Sequence, residues 1–199
     1  MTFHLSSLLS STGSKSSPQA CASFTLRSAP WDGGKKIVVH PSGYPMEAPP
    51  MYTITIPSAN SSSVVLSHGW GGGQWDIIGD ARIPTFSSKV RLTVHGQGME
   101  MRFSDMSGNA TVQTPSMGKL KWKLDVMTLK NLELRDESGT KLAKYYSGKT
   151  SGEKVLEILV PHDIRFLELV LLSGFATKTL NKNSLETTGE ELDNFDRGN

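Results

Sequence analysis

The segment Asp163-Ile-Arg-Phe-Leu-Glu-Leu-Val-Leu-Leu-Ser-Gly-Phe-Ala-Thr-Lys-Thr-Leu-Asn181 is the one long stretch whose apolar positions ignore the period of two governing the chain before it. Ile164, Phe166, Leu167, Leu169, Val170, Leu171, Leu172, Phe175, Ala176 and Leu180 occupy every side of a helical wheel. A helix that is apolar all round is buried in protein or in a membrane. Crossing a bilayer takes about 20 mostly apolar residues; this run is nearer half that, with Glu168 and Gly174 inside it. The reading is a buried helix over 163–181. Asp163 is placed to cap it, Pro161 and His162 end the strand before it, and Lys178 and Lys182 suit the negative end of its dipole. Such a helix needs a wall around it.

The wall is legible upstream. Tyr52-Thr-Ile-Thr-Ile56, Val64-Val-Leu66, the stretch from Trp75 to Ile83, Lys89-Val-Arg-Leu-Thr-Val-His95, Met99-Glu-Met-Arg-Phe103 and Ala110-Thr-Val-Gln113 follow one another at short intervals. Lys119-Leu-Lys-Trp-Lys-Leu124 alternates most strictly, and Asp136-Glu-Ser-Gly139 turns Leu132–Arg135 into Lys141–Tyr145. Val155–Val160 then feeds the helix. Short alternating strands separated by turn signals predict an antiparallel meander closing into a barrel or sandwich. The helix decides between them: a closed barrel with one hydrophobic helix through its middle buries both sets of apolar positions. The expected organisation is a Ser-rich flexible arm over 1–30, an irregular lead-in over 31–50, the barrel over 51–183 and an acidic, disordered tail over 184–199. Within the arm, Phe24-Thr-Leu26 has the makings of a strand or of a docking contact.

Composition narrows the function classes. The 199 residues suit one domain, and a net charge of +2 supplies no field that demands nucleic acid. The single Cys21 excludes an internal disulfide and fits a cytoplasmic setting. Met1–Leu9 lacks the basic n-region of a signal peptide.

In order and spacing, Tyr52-Thr-Ile-Thr-Ile56, Lys121-Trp-Lys123, Leu132-Glu-Leu-Arg-Asp-Glu-Ser-Gly139 and Glu168-Leu-Val-Leu-Leu-Ser-Gly-Phe-Ala176 resemble the tubby C-terminal-like superfamily, in particular its fungal branch. The resemblance covers about 50–183. It implies a barrel of about twelve strands around a central hydrophobic helix. It further implies peripheral binding of anionic phospholipid, phosphoinositide in tubby itself, through basic side chains on the outer face. Phospholipid scramblases and LURP-one-related proteins share the fold. The chain departs from the scramblase pattern in having neither a cysteine-rich palmitoylation segment nor a calcium-binding stretch, which speaks against scrambling. No lipid ligand of tubby transfers residue by residue.

The residues themselves supply one charged cluster. With Leu120, Trp122 and Leu124 facing the core, the pleat puts Lys119, Lys121 and Lys123 on one outward face, and Lys89 and Arg91 project outward by the same logic. These five are the candidate headgroup residues, each contributing about 1 kcal/mol towards anionic lipid if their strands lie near one another. The opposing reading is a solvated face whose lysines discourage edge pairing. His68-Gly-Trp-Gly-Gly-Gly73 lacks the Gly-Lys-Ser/Thr ending of a phosphate loop and reads as a flexible hairpin, with Trp70 and Trp75 candidates for a membrane-dipping loop. The five histidines show no ligand spacing, so no metal is expected. There is no Gly-x-Ser-x-Gly elbow, and Ser173 is assigned a hydroxyl bonded back to its own helix. Asn60-Ser-Ser62 and Asn109-Ala-Thr111 are read as coincidental sequons. A non-enzymatic, cofactor-free monomer follows, cytoplasmic or peripheral to a membrane. Its alternatives are a protein-interaction module and a hydrophobic-ligand carrier. A histidine beside a carboxylate in a cleft is the observation that reopens catalysis.

Overall fold

The computed structural model describes residues 20–29, 35–56, 63–70, 76–83, 88–125, 127–128, 131–148, 150 and 152–187, with side chains as far as 182. Twelve strands precede one helix: β1 (Ala22–Ala29), β2 (Lys35–Pro41), β3 (Tyr52–Ile56), β4 (Ser63–His68), β5 (Ile77–Arg82), β6 (Lys89–Val94), β7 (Gln97–Ser104), β8 (Asn109–Thr114), β9 (Gly118–Leu124), β10 (Leu132–Arg135), β11 (Lys141–Ser147), β12 (Lys154–Ile158) and α1 (Ile164–Thr187). Each strand pairs antiparallel with its neighbours in sequence, and β12 returns to β1 with Ala22 opposite Ile158. The meander therefore closes, which leaves no sheet edge to template aggregation.

Alternation does the sorting. Along β6, Val90, Leu92 and Val94 are buried while Lys89 and Arg91 are exposed; along β9, Leu120 and Trp122 point inward. The inward set meets α1 inside the barrel, its backbone nearest β4–β8, and every residue from Phe166 to Thr177 is buried. The Asp163 carboxylate caps α1, accepting the Phe166 N–H at 2.8 Å. Gly174 lets the helix pass: a Cβ there would stand 2.9 Å from Trp122 Cζ2.

The buried polar residues of α1, Glu168, Ser173, Thr177 and Asn181, fix its register, because each finds a partner on the wall or on the helix's own preceding turn. Trp122 Nε1 donates to Ser173 Oγ at 3.0 Å, and that hydroxyl donates to the Leu169 carbonyl at 2.7 Å, the back-bond expected from sequence. Thr177 turns its hydroxyl to the Ser173 carbonyl. Asn181 Nδ2 donates to Gly108 O at 3.0 Å, in the β7–β8 turn at the far end of the barrel. Gly108 has φ of +62° there, and a Cβ would meet Asn181 Oδ1 at 2.5 Å. A buried helix held only by apolar contacts slides more easily than one whose hydrogen bonds must be remade.

Three sequence expectations need correction. The barrel does not begin at 51: β1 and β2 are wall strands, and Phe24-Thr-Leu26 lies within β1. Residues 31–50 are therefore not all lead-in. In β2 the residues Ile37, Val38, Val39 and His40 are all buried, so the stretch lacks the alternation of a half-exposed strand. Its outer side is covered by the chain that follows, where His40 Nε2 hydrogen-bonds to Ala48 O at 2.9 Å. The helix also continues to Thr187, so Lys178 and Lys182 do not sit in its last turn. Lys178 Nζ instead lies 5.9 Å from the Tyr145 ring centroid. The arm before residue 20, Trp75, Asn60 and the tail beyond 187 fall outside the described residues.

Candidate functional site

Strand register assembles the outer wall row by row. Lys89 on β6 pairs in register with Arg102 on β7, which faces Thr111 on β8, then Lys121 on β9, Arg135 on β10 and Lys141 on β11. One step along the strands, Arg91 is followed by Glu100, Gln113 and Lys119. A third row runs Lys123, Glu133, Lys144 and Glu157. All five candidate headgroup residues thus face outward on one wall. The structure does not make β6 and β9 neighbours: β7 and β8 lie between them. Three strand spacings of about 4.8 Å separate them by roughly 14 Å along the wall. That is three of the twelve spacings round the barrel, so a flat surface meets the β9 lysines and Arg102 before it meets Lys89 and Arg91.

The wall's carboxylates are few and already engaged. Glu100 takes Arg102 Nε at 2.7 Å and Lys89 Nζ at 4.0 Å, and the Arg102 hydrogen bond holds its carboxyl below the ordinary carboxylate range. Glu133 takes Arg135 and Lys141, each at 2.7 Å. Burial works to raise the Glu133 carboxyl, but hydrogen bonds from Lys141 and Arg135 overcome it and leave it lowered. Arg91, Lys119, Lys121 and Lys123 have no carboxylate partner among the described residues. Sequence reasoning found these cations from alternation alone; it missed Arg102, Arg135 and Lys141, whose places in the row depend on inter-strand register.

An open groove of about 670 Å³ lies over the third row, lined by Lys123, Asp125, Asn131, Glu133, Lys144, Tyr146 and Glu157 with the neighbouring Leu124, Leu132 and Tyr145.

A second cluster stands at the mouth where α1 enters. Glu168, one turn into the helix, is 1 % exposed. Its carboxylate accepts His95 Nε2 at 2.5 Å and the Tyr52 hydroxyl at 3.4 Å, and His68 Nε2 stands 4.0 Å away. The His68 ring stacks on Tyr52, with centroids 5.5 Å apart. Burial, with the Glu168 carboxylate beside it, pushes the Tyr52 phenol far above its usual range. His95 sits in the predicted turn with φ of 49°, and Gly96 follows at 75°, the two positive angles that join β6 to β7 in two residues. No spacing rule joins residues 52, 68, 95 and 168; only the closed topology does. A histidine beside a carboxylate is present, so the geometry that reopens catalysis is met in part. Among the described residues no group of three or more His, Cys, Asp or Glu side chains is arranged to hold a metal ion. Nor is any described helix long and apolar enough to cross a membrane.

Trp70, half exposed, lies back on the outer wall: Thr53 Oγ1 donates to Gly69 O, and Lys36 Nζ is 5.7 Å from the Trp70 ring. The Asn109 side chain accepts the Leu124 N–H at 3.1 Å, which gives that sequon residue a structural task.

No family model matches this chain. No curated protein matches it either. Among solved structures it is similar to a protein of Arabidopsis thaliana determined by X-ray crystallography, at 10 % identity and a TM-score of 0.36, over 82 % of this chain and 93 % of that one.

Proposed function

We propose that this barrel is a non-catalytic, tubby-like binding domain that docks peripherally on anionic phospholipid, phosphoinositide included, through its basic outer wall. The observation that carries the reading is the outward β9 face of Lys119, Lys121 and Lys123, free of carboxylate partners among the described residues and crossed at Lys121 by the row from Lys89 to Lys141. Each such charge near an anionic leaflet contributes about 1 kcal/mol, and three act together with Arg102 on a single approach. The His95–Glu168 pair is read as an anchor for α1: its carboxylate faces the wall from inside, and the groove does not reach it. A hydrophobic-ligand carrier needs a lumen, and α1 with its packed core takes that space. A protein-interaction module remains the alternative use of the same wall.

Co-sedimentation with neutral and anionic vesicles over a salt series tests this. The expected result is binding to anionic vesicles that weakens as salt screens the charges and is lost in the Lys119/Lys121/Lys123→Ala variant. Equal binding by that variant, or none by the wild type in low salt, overturns the lipid reading and turns attention to protein partners.

A further inference from the structure

We infer that the groove over β9–β11 is a seat for a phosphate monoester, distinct from the flat rows that meet a membrane. The inference shares Lys123 with the lipid reading but otherwise stands on the groove's own inventory of donors and acceptors. A cavity of about 670 Å³ falls within the range of small-molecule sites. Every carboxylate in it is already an acceptor: Asp125 takes the Met127 N–H and the Thr128 hydroxyl, Glu133 takes Arg135 and Lys141, and Glu157 takes the Tyr146 hydroxyl at 2.8 Å. The donors are the unsatisfied groups. Lys123 Nζ, Lys144 Nζ and the Asn131 side-chain amide have no partner among the described residues. A site whose carboxylates are each engaged and whose ammonium groups are open favours a ligand rich in acceptors and negative in charge.

The spacing favours phosphate. Lys123 and Lys144 flank Glu133 in one row, two strand spacings or roughly 9.6 Å apart at the backbone. Two ammonium groups holding opposite oxygens of one phosphate stand roughly 7 to 8 Å apart when each N···O distance is about 2.8 Å. Lysine side chains leaning inward over Glu133 meet that span, and a phosphate monoester offers them about twice the charge of a single carboxylate group. The phosphate can arrive on a soluble metabolite or on a lipid headgroup; the chemistry at the groove is the same.

The test is an amide-resolved NMR titration of the full chain with inorganic phosphate and with glycerol phosphate, at constant ionic strength set by chloride. Saturable shifts at Asn131, Lys123 and Lys144 are expected for wild type and for Lys36→Ala, a lysine on β2, four strands round the barrel from β10. Lys144→Met, which keeps the aliphatic stem, is expected to weaken binding about tenfold, the loss of one charge-assisted hydrogen bond. Absence of saturable shifts, or shifts unaltered in Lys144→Met, overturns the inference. The vesicle assay separates the two readings. Lys144→Met that loses glycerol phosphate yet still sediments with vesicles supports a groove for soluble phosphate, with the membrane met by the β9 row. Loss of both by that single variant supports a headgroup seated in the groove. Vesicle binding without any phosphate shift removes the groove and leaves the wall.

Discussion

Glu168 is the residue on which the interior depends most. A carboxylate at 1 % exposure is costly unless its oxygens are matched, and here His95 from the β6–β7 turn and Tyr52 from β3 reach it while α1 brings it inside. Glu168→Ala strands the Tyr52 hydroxyl and opens a cavity beneath it, so a loss of about 2 to 4 kcal/mol in urea unfolding is expected. Glu168→Gln, which keeps the volume and an accepting oxygen, is expected to lose less. An equal loss in the two variants would say that charge, not satisfaction of the neighbours, is what matters. None of this was legible in the sequence. Glu168 reads there as a blemish in an apolar run, and its partners lie 73 and 116 residues away. Ser173 was legible in part, since its bond to the Leu169 carbonyl is local. Its bond from Trp122 is not.

At the scale of elements, α1 and β9 define each other. Gly174 exists where Trp122 crosses the helix, and even a methyl group would press on the indole at 2.9 Å. Gly174→Leu is expected to cost roughly 1 to 3 kcal/mol or more, the range for overfilling a packed core. An unchanged melting temperature would contradict the packing. The helix and ten of the strands could be read because their neighbours respect one rule each, all-round apolarity or strict alternation. The second strand could not, and the first only as the short run Phe24-Thr-Leu26, for different reasons. β2 is buried on both faces, as Val38 and His40 are covered from outside. β1 is short of large apolar residues and merges into a Ser-rich lead. Both become strands because β12 needs a partner to close the barrel, and closure is a property of the whole sheet. The basic wall divides the same way: alternation shows which side of a strand a lysine takes, while register shows which cations share a row.

Over the whole molecule, three tyrosines set an alkaline limit. Burial and the Glu168 carboxylate raise Tyr52, burial raises Tyr145, and burial with the Glu157 hydrogen bond pushes Tyr146 up to about 12. A phenol raised in the folded state stabilises it fully below the unfolded value near 10 and loses that contribution as pH rises towards the folded value. Stability is therefore expected to hold through neutral pH and fall above about pH 10. Tyr52→Phe should flatten the fall, read from urea midpoints at pH 8, 10 and 11; an identical decline in the variant would assign the limit elsewhere. The closed wall makes a stronger claim about α1. A helix inside a closed barrel is reached by solvent only when the wall opens, so its amides must share the wall's protection. Native-state hydrogen exchange measures this directly. The structure predicts that amides from Leu167 to Thr177 exchange as slowly as the slowest in β4–β9, with the free energy of global unfolding. Exchange of those amides well ahead of the strands would mean that the helix leaves the lumen while the barrel stands, and would contradict the fold proposed to present the basic wall.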